Sequence, residues 1–552
     1  MAAPLPRRAA LAALAGALLA GAAACSGGSD RPPSPTGGPE ATEPPPSKGP
    51  AYTLRVLGGA ELLSLLPVLK DAQQATGVGT FLSPTNTLDA ADAVRSGRAD
   101  GAADVLWLPY NTYLGLDRAA AAKLVSPTPV MGTQTAVGVR TALLAELGWD
   151  PATVTWAQLG DAIGGGRLTF GMTDPAHSAA GLSALVALAA VFSGARSALT
   201  DADVARAAPA LHTFFGGQKL TSGSSADLLR AYQAGGASPP VGALVEYESV
   251  LLELNGSLPD PAKLTVIRPA DGVLTADYPL TLLASAAAPA QDAFRRLTAY
   301  LLRPEVQQRI TALTLCHPIL ARVPPATGIG LEQRLELPFP GERSVADGLV
   351  RAYQDELRRP SRTLYLLDTS GSMKGARLAQ LQQALGALTG DDDSRAENRF
   401  RAREEVTLVS FADTVKWSRT HQVPATAPGS ELAAIEADVQ ALSAAGGTAI
   451  YSALEAAYQQ LAQQQAAAQD DRFTSIVLMT DGENNEGATA DQFTAFHHAL
   501  PAAQQSVPVF PIRFGEAAVN QLQAIADLTG GKLFDGTTGS LQDVFARIRG
   551  YQ

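Results

Sequence analysis

A chain of 552 residues is long enough for two or three folded domains, and its apolar share of 46% is ordinary for globular protein. A net charge of −11, with no clustering of Arg or Lys into a basic stripe, argues against general nucleic-acid binding. The only cysteines, Cys25 and Cys316, lie in such different contexts that a disulfide between them is not expected.

The chain opens with Arg7-Arg8 and then an Ala/Leu-rich run over residues 9–24. That run is short for a membrane span but suits the apolar region of a secretory signal. It ends at Ala22-Ala23-Ala24-Cys25-Ser26-Gly27-Gly28. The segment 1–25 resembles a bacterial lipoprotein signal. The resemblance implies that Cys25 becomes the lipidated first residue and holds the protein on the outer face of the cytoplasmic membrane. Ala22 departs from the pattern, which usually has Leu or another larger aliphatic residue there. A cleaved signal, or an uncleaved anchor with an incidental cysteine, stays open as an alternative. The export route also stays open, because the twin arginines suit twin-arginine export but also an ordinary basic n-region. Residues 26–50 are rich in Gly, Ser, Pro and Thr and read as an extended tether.

Residues 51–340 read as a separate α/β unit. Thr53-Leu54-Arg55-Val56-Leu57 is a short strand leaving into Gly58-Gly59, followed by a helical pattern from Leu62 to Leu69. Ala90 to Val94 lies on another helix, and Ala103 to Leu108 is a strand. Arg167 to Asp174 is a strand and turn leading to an Ala/Leu helix from Ser178 to Phe192, and Ala290 to Thr311 is helix with a break at Pro304. Such alternation indicates largely parallel sheets. The order, with the Val56–Gly59 strand exit, the Ala103–Trp107 strand, the Asp174–Gly181 turn and the late Ala293–Gln307 helix, resembles the type 2 periplasmic solute-binding fold. The resemblance implies two lobes around a cleft, expected at about 51–150 plus 265–340, and 151–264. Ligands in such sheets sit beyond strand carboxyl ends, at helix N-termini. The candidates are therefore Gly59, Ser178, Gly181 and Tyr247, with a plain N-cap or core role as the competing reading for Ser178 and Trp107. Glu61 at the first helix start would repel an anion, so oxyanion selectivity is not supported.

Residues 341–361 form a short connector, not rich in Gly or Ser, so the flanking domains are expected to pack together. Next comes the apolar run Leu364-Tyr365-Leu366-Leu367, which stops at Asp368-Thr369-Ser370-Gly371-Ser372. An apolar run ending in a carboxylate and two hydroxyls reads as a buried strand leading to an oxygen-rich loop, and such a loop suits a hard divalent cation. Gly446-Gly447-Thr448 opens a helix, and Ser475 to Thr480 is a second apolar run ending at Asp481. Asp368, Ser370, Ser372, Thr448 and Asp481 together resemble the metal-ion-dependent adhesion site of von Willebrand factor type A domains, over residues 362–552. The resemblance implies Mg²⁺ (or Mn²⁺ or Ca²⁺) and a protein partner that offers it an acidic side chain. Strands at Val406–Phe411, Val507–Phe514 and Lys532–Phe534, with helices at 374–388, 431–442, 492–500, 520–528 and 540–549, complete a doubly wound, Rossmann-like α/β sheet. Its metal-loop segments are expected at one edge, at the strand carboxyl ends.

Other polar features carry less. Cys316-His317 are adjacent, which is no evidence for a catalytic pair, and His497-His498 lack a third ligand at metal-site spacing. Asp391-Asp392-Asp393 reads as a solvated loop. No P-loop, His-Glu-x-x-His or Gly-x-Ser-x-Gly occurs, so an enzyme is not expected. The expectation is a lipid-anchored extracytoplasmic binding protein with a metal-dependent site for a protein partner. The alternative is a solute receptor of an ABC-type importer with the last domain as an accessory.

Overall fold

The computed structural model describes residues 50–235, 239–390, 399–468, 470–515, 517–537 and 541–551. The signal, Cys25, almost all of the tether, and the acidic run 391–393 lie outside the described residues. The described residues are mixed α/β and form three sheets.

The first sheet runs, neighbour to neighbour, Val78–Pro84, Tyr52–Gly58, Val105–Trp107, Pro279–Leu283 and Leu124–Pro129. The second runs Thr275–Ala276, Met131–Arg140, Ala243–Tyr247, Phe170–Thr173 and Gln218–Ser222, with Leu264–Ile267 and His317–Pro318 also pairing with Met131–Arg140. These two sheets are the cores of two lobes. Sheet membership corrects the expected lobe boundaries of 150 and 265. Residues 131–140, 264–267 and 275–276 belong to the second lobe. The reason lies in how the chain changes sheets. Leu124–Pro129 and Met131–Arg140 are separated by Val130 alone, so the crossing is extended backbone and carries no turn signal. The chain crosses again near Tyr278, and the Val130 N–H meets the Asp277 carbonyl there at 3.4 Å.

The connector is a helix, Arg343–Ala352, and a π-turn, Tyr353–Leu357. Its first turn reaches the first lobe: Arg343 meets Asp92 at 3.2 Å and Asp117 at 3.4 Å, and Tyr113 bonds Asp347. Its remainder packs on the second-lobe helices Ala179–Ser193 and Asp201–Gly216. The Tyr353 hydroxyl donates to Gln218 Oε1 at 3.0 Å.

The third sheet is ordered Val415–Gln422, Glu405–Phe411, Ser361–Asp368, Phe473–Thr480, Val509–Arg513, Phe534–Asp535. All pairs are parallel except the first. Every residue of Ser361–Asp368 is buried, because helices cover both faces. Side chains alternate accordingly. Tyr365 and Leu367 pack with Leu385, Ile435 and Phe545 on one face, and Leu364 and Leu366 with Leu454, Phe493 and Ile525 on the other. The edge strand Val415–Gln422 was not expected, since its side chains are mostly exposed and polar and offer no apolar run.

Candidate functional site

Two central neighbouring strands of the third sheet, Ser361–Asp368 and Phe473–Thr480, end at the same level. Their carboxyl ends bring Asp368 and Asp481 together. Asp368 is fully buried and fixed from two sides: its Oδ1 accepts the Ser370 N–H at 2.8 Å, and its Oδ2 the Thr480 hydroxyl at 2.6 Å. Ser370 Oγ and Ser372 Oγ stand 3.0 Å apart, and Ser372 Oγ donates to Asp481 Oδ1 at 2.8 Å. The third loop is drawn in by the backbone. The Gly371 N–H bonds the Gly446 carbonyl at 2.9 Å, and Ala445 N–H bonds the Thr369 carbonyl at 2.8 Å. Thr448 Oγ1 then lies 3.6 Å, and Ser372 Oγ 4.0 Å, from where a Cβ on Gly482 would stand. Thr448 is itself pinned, its N–H bonded to Asn485 Oδ1 at 2.8 Å. All five side chains thus converge on one place, with Ser372 exposed at its mouth.

These donors are all oxygens, as a hard cation requires. Burial is the main force raising the Asp368 carboxyl above its ordinary value, and the nearby Asp481 adds to it. Two carboxylates share one nearly dry site, and a divalent cation would relieve both costs. The residues therefore fit such an ion.

Three further residues belong to this neighbourhood and were not singled out from the sequence. Thr480 orients Asp368 from the last position of its strand. Lys416, on the unexpected edge strand, donates to the carbonyls of Thr369 and Ala445, both at 2.9 Å, and ties two of the loops. Arg377 bonds Asp481 Oδ2 at 2.5 Å. The signal for Arg377 was present in the sequence: it is a cation in the first turn of the helix Ala376–Gly386, where the helix dipole disfavours positive charge.

The cleft candidates do not form a comparable cluster. Gly59 carries the Glu61 carboxylate folded back over it. Gly181 packs against the Thr173 carbonyl, where a Cβ would come within 2.4 Å. Tyr247 is buried, and its hydroxyl meets Ser183 Oγ at 3.0 Å. Ser178 precedes the helix Ala179–Ser193 without a side-chain cap bond. Between the lobes, the Tyr110 hydroxyl donates to the Ala179 carbonyl at 3.2 Å. His317 pairs with Glu248 at 2.9 Å and His177 with Asp174 at 3.2 Å, so each histidine has a structural partner.

Comparison with known proteins agrees with this division. Residues 54–312 match the family of bacterial extracellular solute-binding proteins, and residues 364–547 match the von Willebrand factor type A domain. Over 106 residues (19% of this chain, 10% of the relative) the chain is 33% identical to calcium-activated chloride channel regulator 1 of Bos taurus. It is 33% identical over 132 residues (24% and 13%) to inter-alpha-trypsin inhibitor heavy chain H4 of Sus scrofa. To an uncharacterized protein of Synechocystis it is 29% identical over 186 residues (33% and 39%). The chain therefore spans well under half the length of these relatives. Among solved structures it is similar to the periplasmic binding protein AfuA of Actinobacillus pleuropneumoniae with fructose-6-phosphate bound (TM-score 0.44, 13% identity, 56% of this chain and 99% of that one). It is also similar to iron-bound HitA of Pseudomonas aeruginosa (TM-score 0.42, 16% identity, 54% and 98%). The chain thus joins a region that matches the bacterial extracellular solute-binding proteins to one that matches the von Willebrand factor type A domain.

Proposed function

We propose that this protein is an exported, lipid-anchored binding protein whose type A domain takes an acidic side chain of a protein partner in a metal-dependent way. The observation that carries this reading is the convergence of Asp368, Ser370, Ser372, Thr448 and Asp481 at the carboxyl ends of two adjacent strands. Those five residues would hold Mg²⁺, or Mn²⁺ or Ca²⁺, which when bound supplies an electrophilic position for one more anionic oxygen. The residues around it do the positioning. Thr480 and the Ser370 N–H fix the Asp368 carboxylate, and Lys416 fixes the loops. No side chain here is placed to activate a nucleophile, so binding is the role we assign, not catalysis. The lipid would be on Cys25, and no helix among the described residues is long and apolar enough to cross a membrane.

The test is a pull-down from membranes with the full chain, with Mg²⁺ and with excess EDTA, beside Asp368→Ala. A partner retained equally in all three arms would sink the metal-dependent reading. A second reading, solute receptor of an importer, is favoured by the family match over residues 54–312. Its test is a thermal-shift screen of small solutes, where one solute that reproducibly raises the midpoint supports it.

A further inference from the structure

Arg377 pairs with the buried strand-end carboxylate of Asp481. Its guanidinium Nη1 lies 2.5 Å from Asp481 Oδ2, while Asp481 Oδ1 is engaged by Ser372. Both oxygens of one expected ligand are therefore occupied by the protein itself. The Asp481 side chain is fully buried, whereas Arg377 is 37% exposed, so the guanidinium comes from the solvent side. The fold makes room for it. Gly515 has φ +63° and no side chain, and a Cβ there would come within 3.1 Å of the Arg377 Cζ. The helix position is otherwise poor for a cation, as noted above, so the pair with Asp481 is the local gain that offsets it.

Resting on the metal reading above, we infer that Arg377 is a resident counter-cation of the site, which competes with the divalent ion for Asp481 and so sets the cation concentration at which the site fills. Arg377 is a positioning residue in this scheme. It holds Asp481 in place when no ion is there, and it must give up or share that carboxylate when one is. The net effect is a threshold: affinity for the ion is weaker than the five oxygens alone would give.

The experiment is calorimetric titration of the full chain, in detergent, with Mn²⁺ alone, for wild type, Arg377→Gln, Arg377→Lys and Asp368→Ala. The expected result is that Arg377→Gln binds Mn²⁺ about ten-fold more tightly than wild type, the factor typical of losing one charge-assisted hydrogen bond. Arg377→Lys, which keeps the charge but not the fork, should fall between them. A thermal midpoint supplies the second readout. In EDTA, Arg377→Gln should melt below wild type, and added Mn²⁺ should raise it by more than it raises wild type. A merely structural arginine predicts the opposite sign, a variant that both melts lower and binds Mn²⁺ more weakly. Wild type that binds Mn²⁺ while Arg377→Gln binds it equally or less well overturns the role given to Arg377. Wild type that takes up no more Mn²⁺ than Asp368→Ala overturns the metal reading itself, and this inference with it.

Discussion

Arg358 and Asp174 face each other across the joint between the two matched regions, Nη1 to Oδ2 at 3.4 Å, with both side chains sealed from solvent. Asp174 directly follows the second-lobe strand Phe170–Thr173 and opens the turn after it, and Arg358 follows the connector's π-turn. Around them, Arg401 stands 3.9 Å from the same carboxylate, Lys532 bonds Asp227 at 2.7 Å, and Tyr551 also reaches Asp227. Buried and half-buried charges therefore link the second lobe to the type A domain.

Removing the carboxylate alone should be costly. Burial pushes the Asp174 carboxyl up, but His177, Arg401 and Arg358 outweigh it and hold it well below the usual range. A depressed carboxyl contributes stability that is present above its unfolded value and lost only as pH falls through the folded one. Asp174→Asn removes the carboxylate that Arg358 and Arg401 share in this buried joint, and we expect a loss of about 3–5 kcal/mol. Denaturant unfolding at pH 7 measures it, and limited proteolysis should cut more readily between the regions. An unchanged midpoint would show that other groups already balance the two guanidiniums.

The connector lends itself to a separate test. Arg343 draws together Asp92 and Asp117 of the first lobe and Asp347 of its own helix. The helix then runs onto the second lobe, so it spans both lobes of the cleft. Arg343→Ala should cost only about 1 kcal/mol, since the cluster is partly exposed. Its clearer effect should be local: faster amide exchange in residues 87–95 and 343–352, with the type A sheet unaffected. Uniform exchange across the molecule would mean that the strap does not hold the lobes.

How much of this was legible beforehand follows from the residue chemistry. The buried strands of the third sheet announced themselves because parallel strands covered on both faces are continuous apolar runs, as in Leu364–Leu367 and Ile476–Met479. The site candidates were readable because each closes such a run or opens a helix. The edge strand Val415–Gln422 was not, since a solvated strand has no apolar signature. The lobe boundaries were misplaced because Val130 crosses between sheets in extended form. The buried cluster of Arg358, Arg401 and Arg549 with Asp174 and Glu404 could not be foreseen, since only tertiary packing brings those positions together.

Cys316 offers a simple chemical check. Burial pushes its thiol up to about 11, and its residue is 3% exposed. Thiolate is the reactive form, so the native protein should resist iodoacetamide at pH 8 and label only on unfolding. Mass spectrometry of native and urea-treated samples reads this directly. Rapid native labelling would place Cys316 at an accessible surface, contrary to its packing beside the helix Pro304–Thr314.

Glu246 provides the pH-dependent prediction. It lies at the carboxyl end of the second-lobe strand Ala243–Tyr247, 1% exposed, with Oε1 accepting the Tyr247 N–H at 2.9 Å. Its Oε2 has no partner within hydrogen-bonding distance among the described residues, although the Ser225 hydroxyl stands close enough to ease the charge. Burial, helped by the Glu61 carboxylate across the lobes, pushes Glu246 up to about 7. A carboxyl raised on folding contributes stability that is fully present below its unfolded value and lost as pH rises through the folded one. The protein should therefore lose stability between about pH 4.5 and 8 on this account, by about 3 kcal/mol. Glu246→Gln keeps the shape and removes the charge. It should raise the thermal midpoint at pH 8 and leave it nearly unchanged at pH 4.5. The opposite outcome, a variant less stable at pH 8 than wild type, would mean that the ionised carboxylate has a cationic partner in the folded protein, and that the cleft is built to keep Glu246 charged.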